Sequence, residues 1–335
     1  MSEVLLEVTR GSLVENIVRG SIAVIGTDNT LIAHTGDPDY YTYMRSTAKP
    51  LQASVAVESG ALDFFGISQE ELAVMCSSHM GEDYHVAALE SILGKIGLHE
   101  SDLTLGEALS LSDDIYIKRI AEHIKPRKLY NNCSGKHCCM LTMCRYKGWD
   151  YSAYQKPDHP VQQLILATVA QYAQMDTKDI TIGVDGCGVP VFAMPLRNMA
   201  IAYHNLAVPE KLDDIKKKAA ARLVSAMTDY PHMVSGNGTF TTELMRATKG
   251  KVVVKLGADG VYCAAVPQMD IAVALKIEDG NGNMLAPAMM RALSQLNVFT
   301  QQEAKDLAHF AVLDNINCQN DKVGETKAVF ELKAD

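Results

Sequence analysis

The chain has 335 residues, 47% of them hydrophobic, so it can bury a large core in one or two domains. A formal net charge of −9 and a pI near 5.6 argue against a surface for nucleic acid or anionic membranes, which leaves small solutes as the expected partners. No stretch resembles a signal peptide or approaches the roughly 20 apolar residues of a membrane span, so we expect a soluble, cytoplasmic protein. In the cytosol, the eight cysteines are expected to be free thiols or metal ligands.

Strand-forming segments open the chain. Residues 4–8, 21–25 and 31–34 are predicted strands, and the turn at residues 27–30 predicts a hairpin. A helix is predicted to begin near Ser46, because Pro50 is tolerated in a first turn and apolar residues follow at near-helical spacing. Ser68 with Glu71 matches a capping box, and the next predicted helix covers residues 82–96 and ends before Gly97.

Strands return in the last third of the chain. The middle is predicted to be mainly helical, with helices starting at residues 158–160 and covering residues 209–230. Residues 252–256, 261–266, 271–277 and 327–333 are predicted strands, with a helix over residues 286–296 among them. This order predicts an α+β fold in which an antiparallel sheet is built from N- and C-terminal strands and flanked by a helical lobe. We predict a single domain, 1–335, with a sheet-containing lobe at about 1–45 and 250–335 and a mainly helical lobe at about 46–249.

Ser46 and Lys49 stand three residues apart at the predicted helix start. On a helix this spacing places both side chains on one face. A lysine kept neutral by burial can take the proton of a serine hydroxyl as that serine attacks. Ser46 and Lys49 are therefore candidates for nucleophile and base, although a helix N-cap and a solvated lysine would produce the same short pattern.

Two later segments add a second hydroxyl and a second amine. Ser78 precedes His79 and Gly81 at a predicted helix start, where backbone N–H groups can stabilise an oxyanion. Lys255 ends a predicted buried strand just before Gly257. An S-x-x-K motif, a serine turn and a late Lys-x-Gly occur in this order in penicillin-binding proteins and serine β-lactamases.

Four of the eight cysteines fall between Cys133 and Cys144, and Cys187 lies in a second turn of small residues. Thiolates are preferred zinc ligands, so Cys133 and Cys187 could supply two, with His137 or Lys136 as a third. No C-x-x-C pair supports a metal site, and the adjacent Cys138 and Cys139 are expected to be core residues.

Over nearly its whole length the chain resembles the rhizobial-type L-asparaginases, the asparaginase II family. The motifs that carry the resemblance are at residues 14–16, 45–50, 78–83, 133–137, 158–160, 185–187, 255–259 and 276–280. The chain departs from the family pattern at residues 236–238, where Asn237 replaces a commonly acidic residue, which bears on substrate preference.

The resemblance implies a fold similar to serine β-lactamases and glutaminases, a homodimer, and L-asparagine as the small-molecule substrate. It implies two serine–lysine tandems, Ser46 with Lys49 and Ser78 with Lys255. The implied zinc ligands are Cys133, Lys136 and Cys187, with Asp185 nearby, and the ion could be purely structural or could tune substrate affinity. Substrate binding is expected from Arg45, His79 and Asp185, with Arg45 on the α-carboxylate and Asp185 on the ammonium group, either directly or through zinc.

The resulting hypothesis is acyl transfer, in which Ser46 attacks the side-chain amide of asparagine and water later hydrolyses the aspartyl ester. Lys49 serves as base, while Ser78 and Lys255 relay a proton to the leaving ammonia. A different amidohydrolase, acting on glutamine, a β-lactam or a small peptide, would use the same groups. A non-enzymatic zinc-dependent thiol sensor would account for the cysteines but not for the serine–lysine pairs.

Overall fold

The computed structural model describes residues 1–335, and the chain divides into two compact units. Unit 1 comprises Met1–Thr47, Met194–His204 and Glu243–Asp335, and unit 2 comprises Ala48–Ala193 and Asn205–Thr242. No helix is long and apolar enough to cross a membrane.

Twelve strands occur along the chain: β1 (Glu3–Arg10), β2 (Leu13–Gly26), β3 (Thr30–Thr35), β4 (Tyr41–Tyr43), β5 (Thr181–Val184), β6 (Pro190–Pro195), β7 (Val253–Gly257), β8 (Val261–Val266), β9 (Ile271–Ile277), β10 (Val312–Ile316), β11 (Lys322–Ala328) and β12 (Lys333–Ala334). Nine of them form the sheet of unit 1, in the order β10-β11-β1-β2-β9-β8-β7, with β3 beside β2 and β12 beside β3. Every pairing in this sheet is antiparallel. The predicted α+β class, with one sheet made from both ends of the chain, is confirmed.

Fourteen α-helices complete the chain: α1 (Lys49–Glu58), α2 (Ala61–Phe65), α3 (Gln69–Met75), α4 (Asp83–Ile96), α5 (Asp113–Ala121), α6 (Ser134–Lys147), α7 (Pro160–Ala173), α8 (Leu196–Ala207), α9 (Asp214–Asp229), α10 (Pro231–Ser235), α11 (Phe240–Ala247), α12 (Leu285–Gln295), α13 (Gln301–Asp306) and α14 (Ala308–Ala311). In unit 1, α12 packs on strands β1, β8, β9 and β11. In unit 2, α1 packs against α6, α7 and α9, while α3 packs against α4, α6 and α9.

The core of unit 2 is centred on α1 and α6. The first eight residues of α1 are buried, as are the first eleven of α6. Burial of whole helical turns, rather than of one stripe, is typical of a helix enclosed by others. Lysine side chains are rarely buried unless they have a partner, so Lys49 and Lys136 in these helices are candidates for a functional role.

Several predicted boundaries agree with the structure. The Ser68 capping box is present, Gly97 ends α4 with φ 68°, and the hairpin of β2 and β3 forms around residues 27–29. Other predictions were wrong in detail. The helix expected over residues 209–230 is a short 3-10 turn, Pro209–Lys211, followed by α9, because Asp213 caps a new helix by accepting from the N–H groups of Ile215 and Lys216.

Candidate active site

A close approach of α3 and α6 brings two reactive segments of unit 2 together. Ser77 and Ser78 follow the end of α3, and Cys133 immediately precedes α6. Gly135 allows the approach, since a Cβ atom there would lie 1.9 Å from the carbonyl oxygen of Val74. Only glycine therefore fits at this contact, and the serine turn is held beside the loop of residues 131–134.

Lys49 extends into the space between these two segments and is fully buried. Its Nζ donates to the carbonyl oxygen of Ser77 at 2.6 Å, the hydroxyl of Ser78 at 3.0 Å and the carbonyl oxygen of Asn132 at 3.0 Å. Burial lowers the pKa of Lys49, and nearby Cys133 only partly opposes the effect. The alternative that Lys49 is a solvated side chain is wrong.

The three partners of Lys49 differ in what they can do when the amine is neutral. The carbonyl oxygens of Ser77 and Asn132 can only accept, so they engage two N–H bonds of the amine. The hydroxyl of Ser78 can donate as well as accept, so the lone pair of a neutral Lys49 is directed at the Ser78 proton. This arrangement can deprotonate Ser78 without rebuilding the network.

Ser46 lies in a 3-10 turn, Arg45–Ala48, directly before α1, and is 7% exposed. The N-cap position of α1 is Ala48 and makes no side-chain cap, so the alternative that Ser46 is an ordinary helix N-cap is wrong. Arg45 has φ 51°, an uncommon left-handed conformation for a residue with a side chain. Within unit 1 the turn is fixed by Thr47, whose N–H and hydroxyl both donate to the carbonyl oxygen of Met44.

Lys255 is also in unit 1, on β7, and is fully buried. Its Nζ donates to the carbonyl oxygen of Leu256 at 2.9 Å. Gly257 ends the strand against the Ser46 turn, since a Cβ atom there would lie 2.8 Å from the carbonyl oxygen of Met44. Ser46 and Lys255 are thus carried by neighbouring segments of one unit, whereas the pairing of Ser78 with Lys255 stays a prediction.

A third feature of unit 2 is a group of potential metal ligands. Cys133 stands at the start of α6, while Asp185 and Cys187 lie in the loop joining β5 to β6. One ligand atom from each of these three residues lies within 4.8 Å of the other two. Hydrogen bonding from Cys187 lowers the pKa of the Cys133 thiol well below its usual range, and the same bond raises that of Cys187.

Lys136, in the first turn of α6, completes this group. Its Nζ donates to Asp185 Oδ2 at 2.7 Å, with both side chains almost fully buried. Burial favours the neutral amine, but the negative charges of Cys133 and Asp185 prevail and raise the pKa of Lys136. Two thiols, a carboxylate and an amine form a donor set that suits zinc, so the residues present fit that ion.

A comparison with known protein families identifies the family of the chain. The family described as L-asparaginase II matches residues 6–328. The chain belongs to the L-asparaginase II family. It is therefore an amidohydrolase of the asparaginase type, as the motif resemblance implied.

No curated protein matches this asparaginase II chain. Among solved structures it is similar to a β-lactamase from Mycobacterium bovis, with 15% identity and a TM-score of 0.41 over 87% of this chain and 95% of the other. A Bacillus glutaminase crystallised in 4.3 M NaCl has 14% identity and a TM-score of 0.37 over 84% and 92% of the two chains. An octameric penicillin-binding protein homologue from Pyrococcus abyssi has 15% identity and a TM-score of 0.35 over 87% and 75%.

His79, expected to bind substrate, is fully buried in this asparaginase II chain. Its Nδ1 accepts from the N–H of Gly81 at 3.0 Å, which leaves Nε2–H to donate to the hydroxyl of Ser134 at 2.8 Å. Burial lowers the pKa of His79 well below its usual range, with the charge of the Arg119 guanidinium group adding to the effect. A neutral His79 thus ties the Ser78 turn to the start of α6.

Asn237 lies in the loop after α10, at the position where an acidic residue is common in the family. Its side-chain amide donates to the hydroxyl of Tyr84 at 3.2 Å. The preceding Gly236 has φ 109°, and a Cβ atom there would lie 2.9 Å from the carboxylate of Glu82. The loop therefore packs closely on the segment that follows Ser78.

Sequence reasoning missed the groups that hold these candidates in place. No sequence motif indicates that Lys49 donates to the carbonyl oxygens of Ser77 and Asn132. Nor does a motif indicate that His79 donates to the hydroxyl of Ser134. One signal was available: Asn131 accepts from the N–H of Cys133 at 3.0 Å, a turn that asparagine favours and that the pair Asn131-Asn132 could have indicated.

Proposed function

We propose that this protein hydrolyses the side-chain amide of L-asparagine to L-aspartate and ammonia through a serine acyl-enzyme. The observation that carries the proposal is the fully buried Lys49, hydrogen-bonded to two carbonyl oxygens and to the hydroxyl of Ser78. A lysine of lowered pKa in contact with a hydroxyl is the combination that activates a serine at neutral pH.

In the proposed reaction, Ser46 Oγ forms a bond to the amide carbon while its proton passes to Lys49. Collapse of the tetrahedral intermediate breaks the C–N bond, and the departing nitrogen takes a proton through Ser78 and Lys255. Water then attacks the aspartyl ester, which releases aspartate and restores the serine. The contact between Lys49 and Ser78 supports a place for Ser78 in this proton path.

The same contact favours a second candidate, in which Ser78 is the nucleophile. Lys49 Nζ lies 3.0 Å from Ser78 Oγ, so this serine already has its base. The N–H of Ser78 is engaged by the carbonyl oxygen of Val234 at 2.9 Å, which fixes the backbone that carries the hydroxyl. Ser46 would then bind or polarise the substrate rather than attack it.

Two serine variants separate these assignments. Ammonia release from L-asparagine and L-glutamine is measured for the wild type, Ser46→Ala and Ser78→Ala. Acid-quenched samples are digested, and the peptides are searched for an added aspartyl group. We expect fast release from asparagine, loss of turnover in Ser46→Ala, and the acyl group on the peptide of Ser46.

Near-normal turnover in Ser46→Ala, with the acyl group on Ser78, would transfer the nucleophile assignment to Ser78. Faster ammonia release from glutamine than from asparagine would identify a glutaminase instead. Absence of hydrolysis of either amide by the wild type would overturn the proposed reaction.

Substrate recognition is proposed from Arg45 and Asp185, on the α-carboxylate and the ammonium group respectively. For His79 we propose positioning of the Ser78 turn, because both ring nitrogens already have protein partners. A homodimer remains a proposal, and light scattering of the purified protein tests it.

Zinc is proposed as the bound metal, held by Cys133 and Cys187 with Lys136 or Asp185 as a further ligand. When bound, the ion would supply a fixed positive charge and Lewis acidity beside the substrate groups. Coordination by Lys136 requires the amine to lose its proton and leave Asp185, so Asp185 is the competing ligand.

A further inference from the structure

Unit 1 contains a second buried lysine, Lys276, that the proposed reaction does not use. It lies on β9 between Ser21 of β2 and Val261 of β8, and it is 6% exposed. Its Nζ donates to the carbonyl oxygens of Asp259 and Ile277, at 2.7 and 2.5 Å. Both acceptors are main-chain groups, so this ammonium group fixes backbone.

The backbone that Lys276 fixes is the tight turn of residues 258–260, which joins β7 to β8. Asp259 and Gly260 both have left-handed conformations, with φ 56° and 72°. A left-handed Asp259 carries a conformational cost, which neighbouring contacts must offset. Lys276 supplies one such contact, and the N–H of Ile277 supplies another by donating to the carbonyl oxygen of Gly260 at 2.8 Å.

The side chain of Asp259 extends from this turn to Arg45. The carboxylate forms an ion pair with the guanidinium group, Asp259 Oδ2 accepting from Arg45 Nη1. Arg45 is itself in a left-handed conformation and is bonded directly to Ser46. The contacts therefore run from Lys276 through the turn and its carboxylate to the residue before a candidate nucleophile.

We propose that Lys276 is a positioning residue of the active site, which holds the 258–260 turn so that Asp259 orients Arg45. The role of Arg45 toward a substrate carboxylate rests on the proposed function, whereas its orientation by this turn does not. Displacement of Asp259 would release the guanidinium group, and misplacement of a binding group by about 1 Å can reduce activity about 100-fold.

The first test follows the orientation of Arg45 without substrate. Phenylglyoxal reacts with accessible guanidinium groups, and peptide mass spectrometry gives the modification rate of each arginine. We expect Lys276→Met and Asp259→Asn each to accelerate modification of Arg45 about tenfold, and the double variant to react no faster than either single variant. Arg10, exposed and paired with Glu15, serves as the internal reference whose rate stays constant.

Lys251→Met is the matched control. Lys251 also lies in unit 1 and donates to a main-chain carbonyl oxygen, that of Val298 at 2.7 Å, and to Glu303, but it does not contact the turn. We expect phenylglyoxal to modify Arg45 in Lys251→Met at the same rate as in the wild type. An unchanged Arg45 rate in Lys276→Met, beside an accelerated rate in Asp259→Asn, would overturn the proposal.

Lys276→Arg keeps the positive charge and provides a second variant for the same test if Lys276→Met does not fold. A guanidinium group cannot occupy the place of one ammonium group between two carbonyl oxygens, so we expect an intermediate acceleration. An Arg45 rate equal to wild type in this variant would also overturn the proposal.

The second test uses asparagine hydrolysis. We expect Lys276→Met to lower kcat/KM for asparagine about tenfold, mainly through KM, in the wild-type background. In the Asp259→Asn background the same substitution should have no further effect, whereas a merely structural lysine would act equally in both. If the wild type hydrolyses no amide, the proposed function fails while the modification experiment still decides the role of Lys276.

Discussion

Lys49 combines complete burial with three uncharged hydrogen-bond partners. Burial without a partner carboxylate favours the neutral amine, which explains the direction of its pKa shift. Lys136, a buried lysine of the same unit, shows the opposite pKa shift because the negative charges of Cys133 and Asp185 lie beside it. Two lysines in one core are thus set apart by their neighbours, one suited to accept a proton and the other to keep its charge.

Lys49→Met tests this difference directly. Loss of the base should lower kcat for asparagine by about 10²- to 10⁴-fold, because a positioned acid–base group contributes about that much. Steady-state kinetics give the change, and circular dichroism checks that the variant is folded. Lys95→Met, which removes a lysine paired with Glu71 elsewhere in unit 2, should leave kcat within about twofold of wild type. Equal losses in both variants would contradict the assignment.

At the scale of elements, the start of α6 depends on a glycine. Gly135 lets the helix lie against the backbone of α3, where a Cβ atom would meet the carbonyl oxygen of Val74 at 1.9 Å. Such an overlap can be relieved only by moving one helix, and that movement would separate the serine turn from the loop that binds Lys49.

Gly135→Ala should therefore destabilise the protein by roughly 3 kcal/mol or prevent folding, at the upper end of what overpacking costs. Gly94→Ala is the matched control, since Gly94 lies inside α4 with no atom within 4 Å of a built Cβ. That variant should gain about 0.5–1 kcal/mol from helix propensity. Urea unfolding monitored by fluorescence measures both, and similar stabilities for the two variants would contradict the predicted close contact.

A buried histidine in the first turn of α4, His85, is expected to make the stability of the protein sensitive to acid. His85 accepts from the N–H of Glu82 at Nδ1 and donates to the carbonyl oxygen of His232 at Nε2, so its neutral form is built into the network. Burial lowers its pKa from 6.5 to about 4. Between these values the unfolded chain binds a proton that the folded protein excludes. The associated stability is present above pH 6.5 and is lost as the pH falls toward 4, by about 3 kcal/mol.

His85→Gln should reduce this slope, because glutamine can make similar hydrogen bonds and does not titrate. The free energy of unfolding is measured by urea titration at several pH values between 4 and 7. His123→Gln alters an exposed histidine and should retain the wild-type slope. A slope in His85→Gln as steep as that of the wild type would exclude His85 as its source.

At the scale of the whole molecule, a bound metal would join two distant parts of the sequence within unit 2. Cys133 is at the start of α6 and Cys187 lies in the loop between β5 and β6, more than fifty residues later. An ion that binds only the folded arrangement stabilises it by mass action.

The purified protein should therefore contain about one zinc ion per chain, measured by elemental analysis, and a chelator should lower its Tm. Cys133→Ser should lose the metal and the chelator effect together. Cys318→Ser, which alters an exposed cysteine, should keep both. Zinc retained by Cys133→Ser would contradict the proposed ligand set, and a Tm insensitive to the chelator would exclude zinc as a stabilising ligand.

Local signals predicted many of the elements and the candidate residues, but helices α5, α6, α8 and α11 were not predicted individually. Strands β8 and β9 agree with the predicted ranges. Each is a continuous apolar run bounded by turns, and this signal can be recognised from the local sequence alone. Strands β4, β5, β6 and β10 were missed, and the strand predicted over residues 327–333 was wrong, because residues 329–332 separate the end of β11 from β12. β5 and β10 are short and partly exposed, and their pairing rather than their apolar pattern defines them.

The order of predicted strands and helices indicated the α+β class, and the chain's motifs indicated the family. The motifs also identified Ser46, Lys49, Ser78, Lys255 and the two thiols as candidates. The hydrogen-bond partners of buried lysines could not be predicted from motifs. The contact of Lys49 with Ser78 joins residues 29 positions apart, and that of Lys276 with Asp259 joins residues 17 positions apart. Such contacts arise from how helices and strands pack, and packing sets both the burial that shifts a lysine pKa and the acceptors that orient its amine.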